Sequence, residues 1–107
     1  MRLQMTGRMH RAGVRFVTGA DSGINPHMSH GGLRHAASFL VEGGGSTIDA
    51  VAASTSIAAE VCGLGDRKGS LRNGYDADIT IVDGNLQADI DALSNVRSVV
   101  LGGSIVR

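Results

Sequence analysis

An apolar run, Val14-Arg15-Phe16-Val17, leads directly into Thr18-Gly19-Ala20-Asp21-Ser22-Gly23, where a lone carboxylate is set between glycines. The β-branched and aromatic makeup of Val14, Phe16 and Val17 predicts a buried strand. A carboxylate at the carboxyl end of such a strand is where parallel α/β enzymes place chemistry, because loops meet there over a packed core. A strand of this kind needs neighbours, and the rest of the 107-residue chain offers none to lie beside it.

The surrounding patterns are helical. Met1, Met5, Met9 and Ala12 recur at near-helical spacing and Gly13 ends the pattern. Residues 20–32 form a loop rich in Gly, Asn, Ser and His. Leu33, Ala36, Ala37 and Leu40 predict a second short helix, closed by Gly43-Gly44-Gly45. A third helix starts at Ser46, an N-cap with Asp49 three residues on, and is expected to run unbroken to Cys62. Ile48, Val51, Ala52, Thr55, Ala59 and Cys62 share its apolar face, which makes Cys62 a small core residue. Gly63 is the expected left-handed residue after it, with Leu64 making the hydrophobic contact of a Schellman ending.

After Gly65 the pattern turns to β. Asn73-Gly74 signals a tight turn and Ile79-Thr80-Ile81-Val82 a strand. Leu86 to Leu93 reads as a helical turn or loop. Val96–Leu101 and Ser104–Val106 flank Gly102-Gly103, a two-residue hairpin signal.

Composition narrows the function. Ten basic and ten acidic side chains cancel, with no run of either sign, so nothing marks a nucleic-acid face or a membrane-binding patch. One cysteine excludes an internal disulfide framework and fits a reducing compartment. No apolar run approaches the roughly 20 residues that span a bilayer, and polar residues interrupt any signal-peptide core, so a cytoplasmic location is expected. The hydrophobic fraction of 42% permits a core, but it is mostly Ala and Val with three aromatics, so that core is expected to be thin.

Asp21 is the first candidate site residue. It can ligate a divalent ion or take a proton from bound water; equally, it can be a turn aspartate that caps local backbone N–H groups. His27 and His30, spaced H-x-x-H in the following loop, can join it as ligands, since imidazole suits zinc. Alternatively His30 caps the next helix or touches substrate. A catalytic zinc needs about three protein ligands, more than Asp21 supplies alone. The glycines before the second and third helices match no phosphate-binding pattern and read as turns. Ser22 and Ser29 lack an identifiable base.

The Thr18–Asp21 stretch resembles the eighth barrel strand of the metal-dependent amidohydrolase superfamily, where a Gly-Thr-Asp or Gly-Ala-Asp turn presents its aspartate. Three later segments resemble the same family in the same order. They are the helix from Ser46 to Leu64, the return through Gly69-Ser70-Leu71, Gly74 and Ala77–Asp83, and the closing strands from Val96 to Val106. His30-Gly31 is similar to the loop of the imidazolonepropionase-like and Xaa-Pro-dipeptidase-like branches.

The resemblance implies an α/β plus β architecture. Residues 1–65 would be the last β/α unit of a TIM-type (β/α)8 barrel, and 66–107 part of the C-terminal β-sandwich domain. It implies hydrolysis of a C–N bond in an amide, cyclic amide or peptide-like small molecule, using one or two divalent ions, zinc being the expected one. Asp21 would be metal ligand and proton shuttle, with His30 and His27 lining the substrate pocket. Asp78 also matches a family position and reads as structural at a strand entrance.

The family's H-x-H, its bridging ligand and its later strand histidines have no counterpart here. A barrel takes about 250 residues, so the resemblance implies a C-terminal fragment, inactive alone, that needs the missing barrel segment. Met1, Met5 and Met9 are equally good starts, and the loops that would choose the substrate lie on the earlier strands. Two other readings stand beside this one. One is a small non-catalytic binding or structural module that forms a homo-oligomer or complements a partner chain. The other is an unstable gene remnant.

Overall fold

The computed structural model describes residues 1–27 and 29–107. Helix α1 (Arg2–Arg11) is followed by an irregular stretch, then α2 (Leu33–Glu42), α3 (Thr47–Ser54) and α4 (Ser56–Val61). Strand β1 (Ile79–Val82), a 3-10 helix (Ile90–Ser94), β2 (Val96–Leu101) and β3 (Ser104–Ile105) complete the chain. The strands make one antiparallel sheet in the order β1-β2-β3.

The apolar core lies where α2, α3 and the 3-10 helix meet: Ala37, Ala50 and Ile90 are buried, with Leu40, Val41, Val51 and Leu93 packed against them. Among the described residues, every buried residue of the apolar core apart from Ile90 is an alanine. Small residues let the helices approach closely, but each contributes only about one methyl group, or roughly 0.8 kcal/mol. The same closeness holds between α1 and α2, where a β-carbon on Gly7 would lie 2.4 Å from the Gly43 carbonyl oxygen. Two side-chain bonds tie this helical body to the chain's later part. Thr47 Oγ1 donates to Gln87 O at 2.8 Å, and Ser38 Oγ donates to Asp91 Oδ1 at 3.1 Å.

The N-terminus of α3 forms as its sequence dictates. Ser46 Oγ accepts from Asp49 N–H at 3.0 Å while Asp49 Oδ2 accepts from Ser46 N–H at 3.1 Å, a reciprocal capping box. Ser46 Oγ also donates to Asp49 Oδ2 at 2.7 Å, and this bond first, with the Ser46 N–H bond second, holds the Asp49 carboxyl below the usual carboxylate range.

The expected single helix breaks at Thr55, which has φ −129° and ψ −89°. Its cause is local. Ser54 Oγ and Thr55 Oγ1 donate back to Ala50 O and Val51 O at 2.8 and 2.7 Å, bonds that bend helices. Gly69 packs into the break, where an added β-carbon would lie 2.7 Å from Thr55 O. The buried face also differs from the expected one: Ala50 and Ala53 point inward while Ile48 is 63% exposed. Cys62, expected in the core, is exposed at the end of α4 because the break resets the helical phase. The ending itself is as expected. Gly63 has φ +73°, its N–H donates to Glu60 O at 2.9 Å, and Leu64 N–H donates to Ala59 O at 2.8 Å.

Val14–Val17 forms no strand. Its composition suits one, but no neighbouring strand is present to complete a ladder. The C-terminal strands form where expected, joined at Gly102-Gly103 with both φ values positive. A bulge between Ile81 and Val82 shifts the alternation of β1, so Ile79 and Val82 face inward and Thr80 and Ile81 outward. Asn73-Gly74 is a turn, closed by Tyr75 N–H to Arg72 O at 3.1 Å.

Candidate functional site

Thr18 fixes where the carboxylate loop begins. Its N–H donates to Ala53 O at 3.2 Å and its hydroxyl to Ser54 Oγ at 2.9 Å. The loop thereby starts from the buried side of α3. Neither Thr18 nor Ser54 was legible as an anchor in sequence; the only signal is a hydroxyl run, Ser54-Thr55-Ser56, inside an otherwise apolar helix.

Three residues later the chain turns sharply. Asp21 has φ +48°, the only positive φ of a non-glycine residue among the described residues, and its side chain is exposed. Aspartate tolerates this left-handed conformation better than most residues because its short polar side chain bonds locally.

The loop then folds back on its own start. A β-carbon on Gly32 would lie 3.8 Å from both Ala20 Cβ and Ser22 Oγ, and one on Gly23 would lie 3.4 Å from His30 Cε1. His30 is therefore seated two residues beyond Asp21, against Gly23. His27 is held through its backbone, whose N–H donates to Asn25 Oδ1 at 2.9 Å, and its side chain is exposed.

Among the described residues, no group of three or more His, Cys, Asp or Glu side chains is arranged to hold a metal. The physical reason is the irregular loop, on which H-x-x-H spacing fixes no common face. The donor set in this chain therefore does not fit a catalytic metal by itself. No helix of the described residues is long and apolar enough to cross a membrane.

Two groupings of titratable side chains were not singled out in sequence. His10 Nε2 lies 3.6 Å from Asp49 Oδ2, linking α1 to the N-terminus of α3. Farther on, Asp76 accepts from Arg67 at 2.6 Å and lies 3.1 Å from Lys68 Nζ, which also pairs with Asp78. Hydrogen bonds from Arg67 and then Lys68 lower the Asp76 carboxyl, and those from Lys68 and then Gly102 N–H lower Asp78. Both pairs are close in space only because turns bring residues 67–68 against 76–78. Asp78, read from sequence as structural, sits within this network.

The family model described as "Amidohydrolase family" matches residues 3–106. The chain belongs to the amidohydrolase family. Among solved structures, it is similar to a Xaa-Pro dipeptidase with bound methionine in the active site, at 28% identity and TM-score 0.89 over 98% of this chain and 25% of that one. It is similar to molinate hydrolase at 26% identity and TM-score 0.86, covering 94% of this chain and 25% of that one. An amidohydrolase from Thermotoga maritima MSB8 matches at 25% identity and TM-score 0.77, over 98% of this chain and 26% of that one. The chain thus spans about a quarter of the length of these structures. A search among curated proteins returned no match.

Proposed function

We propose that the chain serves a metal-dependent hydrolase acting on the C–N bond of an amide, a cyclic amide or a peptide-like small molecule. Residues 1–65 would supply the last β/α unit of its TIM-type barrel, and residues 66–107 part of its accessory β-sandwich. The observation that carries this reading is Asp21. In a chain of the amidohydrolase family, it is the non-glycine residue held in a left-handed turn, just past a segment anchored by Thr18. Backbone strain of that kind is costly and collects at functional sites.

Asp21 is proposed as metal ligand and as proton carrier. Its carboxylate would accept a proton from the attacking water and return it to the leaving nitrogen. His30, beside Gly23, and His27 are proposed to line the substrate pocket. Because Asp21 supplies one ligand where about three are needed, the 107 residues alone are expected to show no turnover. The remaining ligands would come from further amidohydrolase sequence, in the same polypeptide or in a partner.

A test joins this chain to the three quarters of the Xaa-Pro dipeptidase that it does not match, as one polypeptide. Hydrolysis of Xaa-Pro dipeptides or of a cyclic amide, abolished by Asp21→Asn, supports the reading. Undiminished hydrolysis in the Asp21→Asn protein would remove Asp21 from the chemistry.

A second reading is a non-catalytic module that assembles with itself. The exposure of Val61, Leu101 and Ile105, at 60–76%, favours it. A defined oligomer of the chain alone by light scattering would support it.

A further inference from the structure

The end of α3 and the start of the Asp21 loop share their hydrogen bonds. In an unbroken helix Ala53 O would accept from the N–H four residues on. With the helix broken at Thr55, it accepts instead from Thr18 N–H at 3.2 Å. Beside it, the Ser54 hydroxyl is committed at both ends. Ser54 Oγ donates its proton to Ala50 O at 2.8 Å, so it can only accept from Thr18, whose Oγ1 donates to it at 2.9 Å. The relay therefore runs one way, Thr18 to Ser54 to Ala50, and bonds in such a chain strengthen one another. Both side chains are half-buried, where a lost partner is costly.

Serine inside a helix is a weaker helix former than alanine, and its bond back to the carbonyl four residues earlier bends the axis. Here the hydroxyl that bends α3 also receives Thr18. Gly69 fills the gap from the other side, where an added β-carbon would lie 2.7 Å from Thr55 O. Bend and anchor are one device.

Only Gly19 and Ala20 separate the Thr18 anchor from Asp21. On the far side Gly32 lies against the loop, since a β-carbon on it would be 3.8 Å from both Ala20 Cβ and Ser22 Oγ. Asp21, at φ +48°, is held between these two fixed points. A non-glycine residue stays in such a conformation only when its surroundings over-determine it.

We propose that Ser54 is a positioning residue for Asp21. It does not touch the reacting atoms; through Thr18 it fixes the left-handed turn from which the carboxylate acts. This rests on the role given to Asp21 under Proposed function.

The test uses Ser54→Ala and Thr18→Val, which each remove one hydroxyl, and Thr18→Ser, which keeps it. Thr18→Val leaves the sequence of α3 untouched. In the 107-residue chain, NMR reads the φ of Asp21 and hydrogen exchange at residue 18 N–H. Both removals should speed that exchange by about tenfold and let Asp21 leave its positive φ, while Thr18→Ser keeps the parent values. In the joined polypeptide described under Proposed function, both removals should lower kcat on an Xaa-Pro dipeptide by about tenfold or more, with KM within about twofold of the parent. The double variant should lose about as much as either single one, as a shared bond requires. On an Asp21→Asn background neither removal should change the residual rate, whereas general loosening of α3 would lower it further.

An Asp21 φ unchanged by both removals in the folded chain overturns the proposal. So does a parental kcat in a joined polypeptide that loses activity with Asp21→Asn, or an equal loss in Thr18→Ser and Thr18→Val. A released φ with undiminished hydrolysis in Asp21→Asn would instead sink the catalytic reading of Asp21 and leave the anchor.

Discussion

The Asp78 carboxylate accepts a hydrogen bond from Gly102 N–H at 2.8 Å, so the residue before β1 pins the turn that joins β2 to β3. Gly103 N–H donates to Ala77 O at 3.0 Å beside it, and Lys68 holds the same carboxylate from the other side. Sheet and preceding loop therefore share one electrostatic clamp.

That clamp has a defined pH window. Asp76 and Asp78 are lowered in the folded chain, by Arg67 and Lys68 first, so their stabilisation is present above the unfolded value of roughly 4. It is lost as pH falls through the lower folded values. Lys68 is raised, by Asp78 and then Asp76, so its share is present below roughly pH 10.4 and lost as pH rises past that. Thermal melts of the chain should show a midpoint falling below about pH 4, with a smaller fall in Asp78→Asn.

Gly69→Ala should be strongly destabilising. Gly69 has φ +86°, and a β-carbon there would lie 2.7 Å from Thr55 O and 2.8 Å from Ala59 Cβ. Overpacking costs about 1–3 kcal/mol, and left-handed backbone about 1–2 more for a residue with a β-carbon. The obstructing Thr55 atom is backbone and cannot turn aside. A urea melt should place the loss at about 2–5 kcal/mol.

Ser46→Ala removes the hydroxyl half of the capping box and should cost about 1 kcal/mol by the same measurement. Asp49 would lose its largest stabilising partner, so its carboxyl should titrate closer to the ordinary value in the variant, as read by NMR.

Much of this architecture was legible in the sequence because the deciding forces are local. Ser46 with Asp49, Gly63 with Leu64, and Gly102-Gly103 each write their geometry within a few residues. The break at Thr55 was not legible, since Ser54 and Thr55 fit an unbroken helix by spacing and only the fold shows both hydroxyls bonded back to Ala50 O and Val51 O, with Gly69 packed into the gap. The lack of a strand beside Val14–Val17 was legible; that the run would therefore form no strand, despite its strand-like composition, was not. Asp21 stood out from its place after that run. The anchoring of its loop by Thr18 and Ser54, across 36 positions, could be seen only in the fold.

Asp21→Gly separates backbone from chemistry. Glycine adopts φ +48° freely, a gain that its greater freedom in the unfolded chain offsets, so stability should stay within about 1 kcal/mol of the parent. If the carboxylate acts as proposed, hydrolysis in the joined polypeptide should fall by about 100-fold or more.

The most direct measurement is turnover of an Xaa-Pro dipeptide by the joined polypeptide, with Asp21 intact and as Asp21→Asn, under matched metal loading. Hydrolysis by the first and about 100-fold less by the second is the expected result. Equal rates in both, from equally folded proteins, would contradict a catalytic Asp21 and leave this chain a structural part of the enzyme.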